Sequence, residues 1–292
     1  MNKYIILGHE NPDVDSIISG YLLEKLLIKL GYKAKFIIPD KNIEENTIKL
    51  CTYCNLDPKN YQHQLPKDTT YKYILVDHNE RKLEKEIVAI IDHHPTENIT
   101  TCPYYKNTLS SSTSLLIVIN NEQYFSKEDI FLAIFAAMVD TAAFHSNKTV
   151  QEDIIWIKKQ CQKYNFNYKE MLENSICETD LTNIKEASLN GLKKHTLANK
   201  KVASSYIELK NPEENQEKIN EILNYLQTYQ TENNYDLFAF IVHNITDFKT
   251  TLYKISQTTT KIVTYDEYTS RGTRIIPELT KELKHIQKKE NN

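Results

Sequence analysis

Gly8-His9-Glu10-Asn11-Pro12-Asp13-Val14-Asp15-Ser16 follows a short apolar run, Tyr4 to Leu7, and its reading decides the fold. A strand enters a turn carrying one imidazole and two carboxylates, and a helix starts directly after it. In extended backbone, alternate side chains point to opposite sides. Asp13 and Asp15 are therefore predicted to serve different ions of a close metal pair, with His9 on the Asp13 side. Ser16 is expected to cap the helix, whose apolar face runs through Ile18, Leu22, Leu23, Leu26, Leu27 and Leu30 until Gly31 ends it.

Further runs rich in Ile, Val and Tyr follow at Lys35–Ile38, Tyr73–Val76 and Val88–Ile91, separated by segments of helical period. Alternation of this kind predicts an α/β fold with a doubly wound parallel sheet. Ligands of such sheets bind at the carboxyl ends of strands, and three of these four strands end in acidic or imidazole residues. At Val76-Asp77-His78-Asn79-Glu80, a lone Asp would ordinarily be a turn or cap residue. Its company makes Asp77 the candidate bridge between two divalent ions, one oxygen to each. His78 stays open between a site role and a structural one.

The third strand end is Ile91-Asp92-His93-His94-Pro95. Adjacent histidines point in different directions, so one can ligate a metal while its neighbour faces a substrate. Asp92 is expected to orient an imidazole or cap the strand. Four of the nine histidines lie in these three motifs, a density that a solvated loop would not produce. In Ala136-Ala137-Met138-Val139-Asp140-Thr141, a carboxylate stands at the end of an apolar helix, where the helix dipole disfavours it. A compensating cation is expected beside Asp140. His145 is expected to be exposed.

The chain has 292 residues, long enough for two domains, with 40% apolar and 26% charged residues as in ordinary globular proteins. A formal charge of −3 argues against a dedicated nucleic-acid surface. No apolar run approaches the roughly 18 residues needed to span a bilayer, and MNKYIILGHENP turns polar too soon for a signal peptide. A cytoplasmic protein without membrane partners is expected. Five cysteines, with Cys51 and Cys54 spaced as CxxC but no second pair, read as semi-buried thiols.

The domain reading assigns residues 1–178 to a catalytic domain, 179–187 to a polar linker and 188–292 to a second domain. That second domain is read as a strand at Lys201–Leu209, a long polar helix over 213–233, and strands near Leu237–Val242, Thr251–Ile255 and Lys261–Tyr265. A charged helix from Glu278 follows, fraying beyond Glu282.

In order and spacing, the motifs around His9, Asp77, His93 and Asp140 resemble those of the DHH phosphoesterase superfamily, most of all the manganese-dependent (family II) inorganic pyrophosphatases, where VDHNE is typical. The resemblance implies His9, Asp13 and Asp77 on one metal and Asp15, Asp77, His93 and Asp140 on the other. It implies two Mn²⁺ or Co²⁺ per subunit, with Mg²⁺ accompanying the substrate. It also implies a bridging hydroxide that attacks phosphorus in line, with Asp13, Asp15, Asp77 and His94 in the catalytic machinery and His94 against the substrate. Pyrophosphate or short polyphosphate is the implied substrate, with no nucleic acid. A smaller C-terminal domain with a mixed sheet, an active site in the cleft between the domains, and a homodimer through the N-terminal domain complete the expectation.

A polyanion needs fixed cations beyond the metals. Gly191-Leu192-Lys193-Lys194-His195 resembles the family's lysine element, with Lys193 the better match and Lys194 its rival. Arg271 aligns with the family arginine in Ser270-Arg271-Gly272-Thr273-Arg274, and two of the chain's three arginines fall in this stretch. Gly272 and Thr273 stand where the family has two lysines. One clamping charge is then missing unless Arg274 reaches inward, and in a strand positions 271 and 274 face opposite sides unless Gly272 makes a bulge. Exopolyphosphatase activity is the alternative. A nucleotide or oligonucleotide phosphodiesterase ranks lower, because no GGGH-like segment occurs among only five glycines. A non-enzymatic sensor is disfavoured because every metal position is intact.

Overall fold

The computed structural model describes residues 3–39, 42–67, 70–79, 83, 85–94, 102, 104–107, 109–146 and 148–290. Glu80 and Pro95, which the motifs above include, lie outside them. The chain divides into two units, one of Met1–Phe144 with Lys148–Ile176 and one of His145–Asn147 with Cys177–Asn292.

In the first unit, β1 (Lys3–Leu7), β2 (Lys33–Phe36), β3 (Tyr71–Val76), β4 (Ile87–Asp92) and β5 (Tyr104–Asn107) pair in the order β2-β1-β3-β4-β5, every pair parallel. Strands covered on both faces read as continuous apolar runs; Ile5, Ile6, Leu7, Ile74, Leu75 and Val76 are all buried. Two details differ from the sequence reading. β2 begins two residues early, and Ile38 bridges to Gln62 beyond the strand. The short edge strand β5 carries too little apolar pattern to be read in advance.

The helices of this unit are α1 (Val14–Lys29), α2 (Glu45–Tyr53), α3 (Thr113–Ile119), α4 (Lys127–Asp140), α5 (Gln151–Tyr164) and α6 (Tyr168–Asn174). Helix α1 closes as its glycine predicts: Gly31 takes φ +85°, Gly31 N donates to Ile28 O and Tyr32 N to Leu27 O, a Schellman close. Its start differs. Asp13, not Ser16, is the cap, accepting from Ser16 N at 3.0 Å, while Ser16 Oγ accepts from His9 N at 3.1 Å. A Cβ at position 8 would fall 2.1 Å from that hydroxyl, so Gly8 is what lets the turn close on the helix.

In the second unit, β6 (Lys193–Leu197), β7 (Lys200–Leu209), β8 (Leu237–Asn244), β9 (Lys249–Ile255) and β10 (Thr260–Tyr265) form a mixed sheet in the order β10-β9-β8-β7-β6, with β7 and β8 the parallel pair. The period of two along β8 builds two cores. Phe238, Phe240 and Val242 pack with α7 (Ile184–Ser188) and α8 (Gln216–Glu232) through Ala187, Ile219, Ile222 and Leu226. Ala239 and Ile241 pack on the other face with Ile275, just before α9 (Ile276–Glu290), and with Leu279 in it.

Three expectations are corrected here. The proposed linker 179–187 is part of this core, since Leu181 and Ala187 are buried in it and α7 begins at Ile184. Helix α9 runs to Glu290 instead of fraying from Glu282, because Leu283 packs on the sheet and Glu282 pairs with Lys254 at 2.7 Å. Residues Arg271–Ile275 form a π-helical turn capped by Ser270, not a strand, so opposite facing of residues 271 and 274 does not apply.

Gly20 gives a stability test. A Cβ there would meet the Phe36 ring at 2.2 Å. Gly20→Ala is expected to lower the urea midpoint by the equivalent of about 1–3 kcal/mol through overpacking, although alanine is the better helix former by about 0.8–1 kcal/mol. A raised midpoint would show that the ring yields.

Candidate metal centre

The six residues expected to ligate metal, His9, Asp13, Asp15, Asp77, His93 and Asp140, come together where the strands of the first unit end. Ligand atoms of His9, Asp13 and Asp77 form one group, and those of Asp15, His93 and Asp140 form another, each within 4.8 Å. Asp77 stands between them. Its Oδ2 lies 3.6 Å from His9 Nε2 and its Oδ1 3.4 Å from His93 Nε2. The residue takes φ +62°, a left-handed conformation uncommon for aspartate and typical of backbone held in place for function.

Each side chain is aimed by a second contact. His9 Nδ1–H donates to Glu10 O at 2.8 Å, turning Nε2 toward Asp13 at 3.3 Å. His93 Nδ1–H donates to Ser110 O at 2.9 Å, and its Nε2 lies 3.3 Å from Asp140 Oδ2. Imidazoles tied at Nδ1 present Nε2 in a fixed direction, the usual arrangement of a metal-ligating histidine. Asp15 receives Thr113 N at 2.7 Å and Ser114 N at 2.9 Å, and Thr113 Oγ1 donates to Asp77 Oδ1 at 3.2 Å. Asp92 takes the orienting role expected of it, accepting from His94 Nδ1 at 2.9 Å and from Asn79 Nδ2 at 2.7 Å. His78 is buried in the turn and bonded through Nδ1 to Val76 O at 2.8 Å.

The residues fit divalent ions. Asp77 Oδ2, His93 Nε2 and Asp140 Oδ2 are buried with no hydrogen-bond partner among the described residues, which is costly unless something else satisfies them. Mixed imidazole and carboxylate donors suit Mn²⁺ or Co²⁺ better than Mg²⁺. Titration follows the crowding. Burial and the neighbouring Asp15 and Asp13 charges push the Asp77 carboxyl well above its ordinary range. Burial opposes the His93 imidazolium, but the adjacent Asp77 and Asp140 carboxylates outweigh that and lift it to about 10. Burial likewise opposes the Asp140 charge, and Lys148 and His93 override it to hold that carboxyl low.

Sequence reasoning missed Lys148, whose Nζ lies 2.7 Å from Asp140 Oδ1, and also Ser110, Thr113 and Ser114. The hydroxyl run Ser110–Ser114 ahead of an apolar stretch was an available helix-start signal; nothing local marked Lys148. The CxxC pair contributes nothing. Burial lifts the Cys51 thiol to about 12 and Cys54 further, and neither joins a metal-ligand group among the described residues.

In the second unit, Lys193 and His195 alternate onto one side of β6 and Lys194 onto the other. Arg271 bonds Gly191 O through Nη1 and lies 5.4 Å from the centre of the Tyr206 ring. Burial, then the Arg271 and Lys193 charges, pull His195 down to about 4. Burial and Arg271 bring His243 to about 3. Arg274 is engaged elsewhere, with Glu267 and with Glu278 at 3.0 Å, over the face of Tyr265. His145 is exposed, stacked on Phe248 with ring centres 3.3 Å apart.

Residues 3–142 match the model of the DHH family, N-terminal domain. The N-terminal unit of this chain belongs to the DHH family. A Bacillus subtilis (strain 168) protein named manganese-dependent inorganic pyrophosphatase is 25% identical over 309 residues, covering 96% of this chain and 98% of that one. Beyond the DHH domain the likeness extends to the fold as a whole. The crystal structure of a Methanococcus jannaschii protein assigned to the family II inorganic pyrophosphatases superposes with a TM-score of 0.75 at 20% identity, covering 95% of this chain and 98% of that one. Among the described residues of this DHH protein, no helix is long and apolar enough to cross a membrane.

Protons must leave for metal to bind. With His93 lifted to about 10, its imidazole is protonated at neutral pH, and a ligating Nε2 must be neutral. Mn²⁺ uptake by metal-free protein is therefore expected to release at least about one proton per chain and to tighten as pH rises from 6 to 8. Calorimetry in buffers of different ionisation enthalpy measures the count; a value of zero would contradict the assignment.

Proposed function

We propose that this protein hydrolyses inorganic pyrophosphate to two phosphates with a pair of Mn²⁺ or Co²⁺ ions. The observation that carries the proposal is the Asp77 carboxylate, placed with one oxygen toward the His9 group and the other toward the His93 group. His9, Asp13 and Asp77 would hold one ion, and Asp15, Asp77, His93 and Asp140 the other. Bound there, the ions supply Lewis-acid polarisation of phosphoryl oxygens and a water activated at neutral pH.

The chain's own residues do the rest. Asp13 divides its oxygens, one capping α1 at Ser16 N and the other toward His9, so the turn and the first ligand group form together. Asp92 keeps the His94 proton on Nδ1, leaving Nε2 to exchange a proton with the substrate. His94 suits that role, being a third exposed while His93 is buried. Lys193 and Arg271 would neutralise phosphate oxygens beyond the reach of the metals, Arg271 through its planar fork. Arg274, held by two carboxylates, is left out of this clamp. The named activity of the B. subtilis relative supports the substrate.

Short polyphosphate is the second reading, because Gly272 and Thr273 offer no side-chain charge where the clamp would close. Phosphate release from pyrophosphate, triphosphate and long polyphosphate, with Mn²⁺, Co²⁺ and Mg²⁺ in turn, separates the two. Pyrophosphate with Mn²⁺ or Co²⁺ is expected to be fastest; faster release from the longer chains would select the second reading. Asp77→Ala should abolish turnover and paired metal binding. Arg271→Ala should cut kcat/KM by roughly 10²-fold, the usual cost of losing one preorganised charge contact, with metal content unchanged. Unaltered kinetics would make Arg271 a structural residue.

A further inference from the structure

Asp140 shares its two oxygens unequally. Oδ1 is held by Lys148 Nζ at 2.7 Å, while Oδ2, buried and without a hydrogen-bond partner among the described residues, faces His93 Nε2 at 3.3 Å. The lysine side chain is only 16% exposed, and its ammonium is within electrostatic reach of Asp13 and Asp77. We propose that Lys148 is a built-in counter-charge of the metal centre, a positioning residue that fixes Asp140 with one oxygen toward the metals and trades metal affinity for affinity toward an anionic substrate.

Placement makes this more than a surface ion pair. Asp140 is the last residue of α4, where the helix dipole opposes a carboxylate whether or not metal is present. The chain turns back directly after it, with Ala142, Ala143 and Phe144 at φ +47°, +52° and +69°, a conformation unfavourable for residues with a Cβ. Thr141 stabilises that reversal, its Oγ1 donating to Ala137 O and accepting from Phe144 N. The turn brings Lys148 back to Asp140.

Charge counting gives the direction of the effect. Asp13, Asp15, Asp77 and Asp140 contribute −4, which two divalent ions balance; Lys148 makes the loaded centre one unit more positive than it would otherwise be. A cation beside Asp140 repels an incoming metal ion and attracts an incoming anion. The inference rests on the two-ion pyrophosphatase reading above.

The test compares wild type, Lys148→Met and Lys148→Arg by calorimetric titration of Mn²⁺ into metal-free protein and by steady-state kinetics on pyrophosphate. Lys148→Met is expected to bind Mn²⁺ at least about tenfold tighter and to raise KM at least about fivefold, the scale of one unit charge near a divalent ion in a water-like dielectric. Lys148→Arg should keep both close to wild type. A lysine that served only packing would not move the two quantities in opposite senses. Unchanged or weaker Mn²⁺ binding in a natively folded Lys148→Met would overturn the proposal, and tighter binding with an unchanged KM would overturn its substrate half. If circular dichroism shows Lys148→Met unfolded, Lys148→Gln decides by the same criteria. If wild type hydrolyses no pyrophosphate, the function reading fails while the Mn²⁺ comparison still judges Lys148.

Discussion

Four carboxylates gathered at one end of a sheet cannot all stay charged without cations among them. Asp13, Asp15, Asp77 and Asp140 are brought together with His9 and His93, and Asp15 and Asp77 are almost fully buried. Burying an unpaired charge is among the costliest arrangements a fold can hold. The protein meets this with several devices at once: backbone N–H groups of α3 on Asp15, a hydroxyl on Asp77, the α1 N-terminus on Asp13 and a lysine on Asp140. Among the described metal-ligand candidates, Asp77 Oδ2, His93 Nε2 and Asp140 Oδ2 are buried without a hydrogen-bond partner, and these are all good donors to a divalent ion.

That economy explains the local oddities of the first unit. Gly8 has no side chain because Ser16 Oγ occupies the space beside it and receives the His9 amide. Asp77 leaves its strand in a left-handed conformation while its own amide still bonds Ile91 O, so strand pairing continues up to the residue that serves both ligand groups. Asp92 ends β4 and ties His94 to Asn79, linking two strand ends through one carboxylate.

The second unit solves a different electrostatic problem. His195 is held neutral by burial and by the Arg271 and Lys193 charges, and His243 by burial and Arg271. Arg271 bonds the Gly191 carbonyl and lies over the Tyr206 ring. Arg274, three residues on, pairs with Glu267 and Glu278. In a π-helical turn these two side chains share no strand register, so the alternation rule could not sort them.

The sequence alone determined what depends on local period and residue chemistry. Alternating apolar strands and amphipathic helices specify a parallel sheet, and imidazole and carboxylate residues at three strand ends must then meet, because parallel strands share a carboxyl edge. Only the tertiary structure decided which atoms face each other. Helix α1 is capped by Asp13 instead of Ser16 because the Ser16 hydroxyl is claimed by an amide seven residues back, and the 179–187 stretch is core because Leu181 and Ala187 meet strands that start later in the chain. Lys148 was invisible in advance for the same reason: a lysine in a polar loop looks solvated until a left-handed turn brings its ammonium against Asp140.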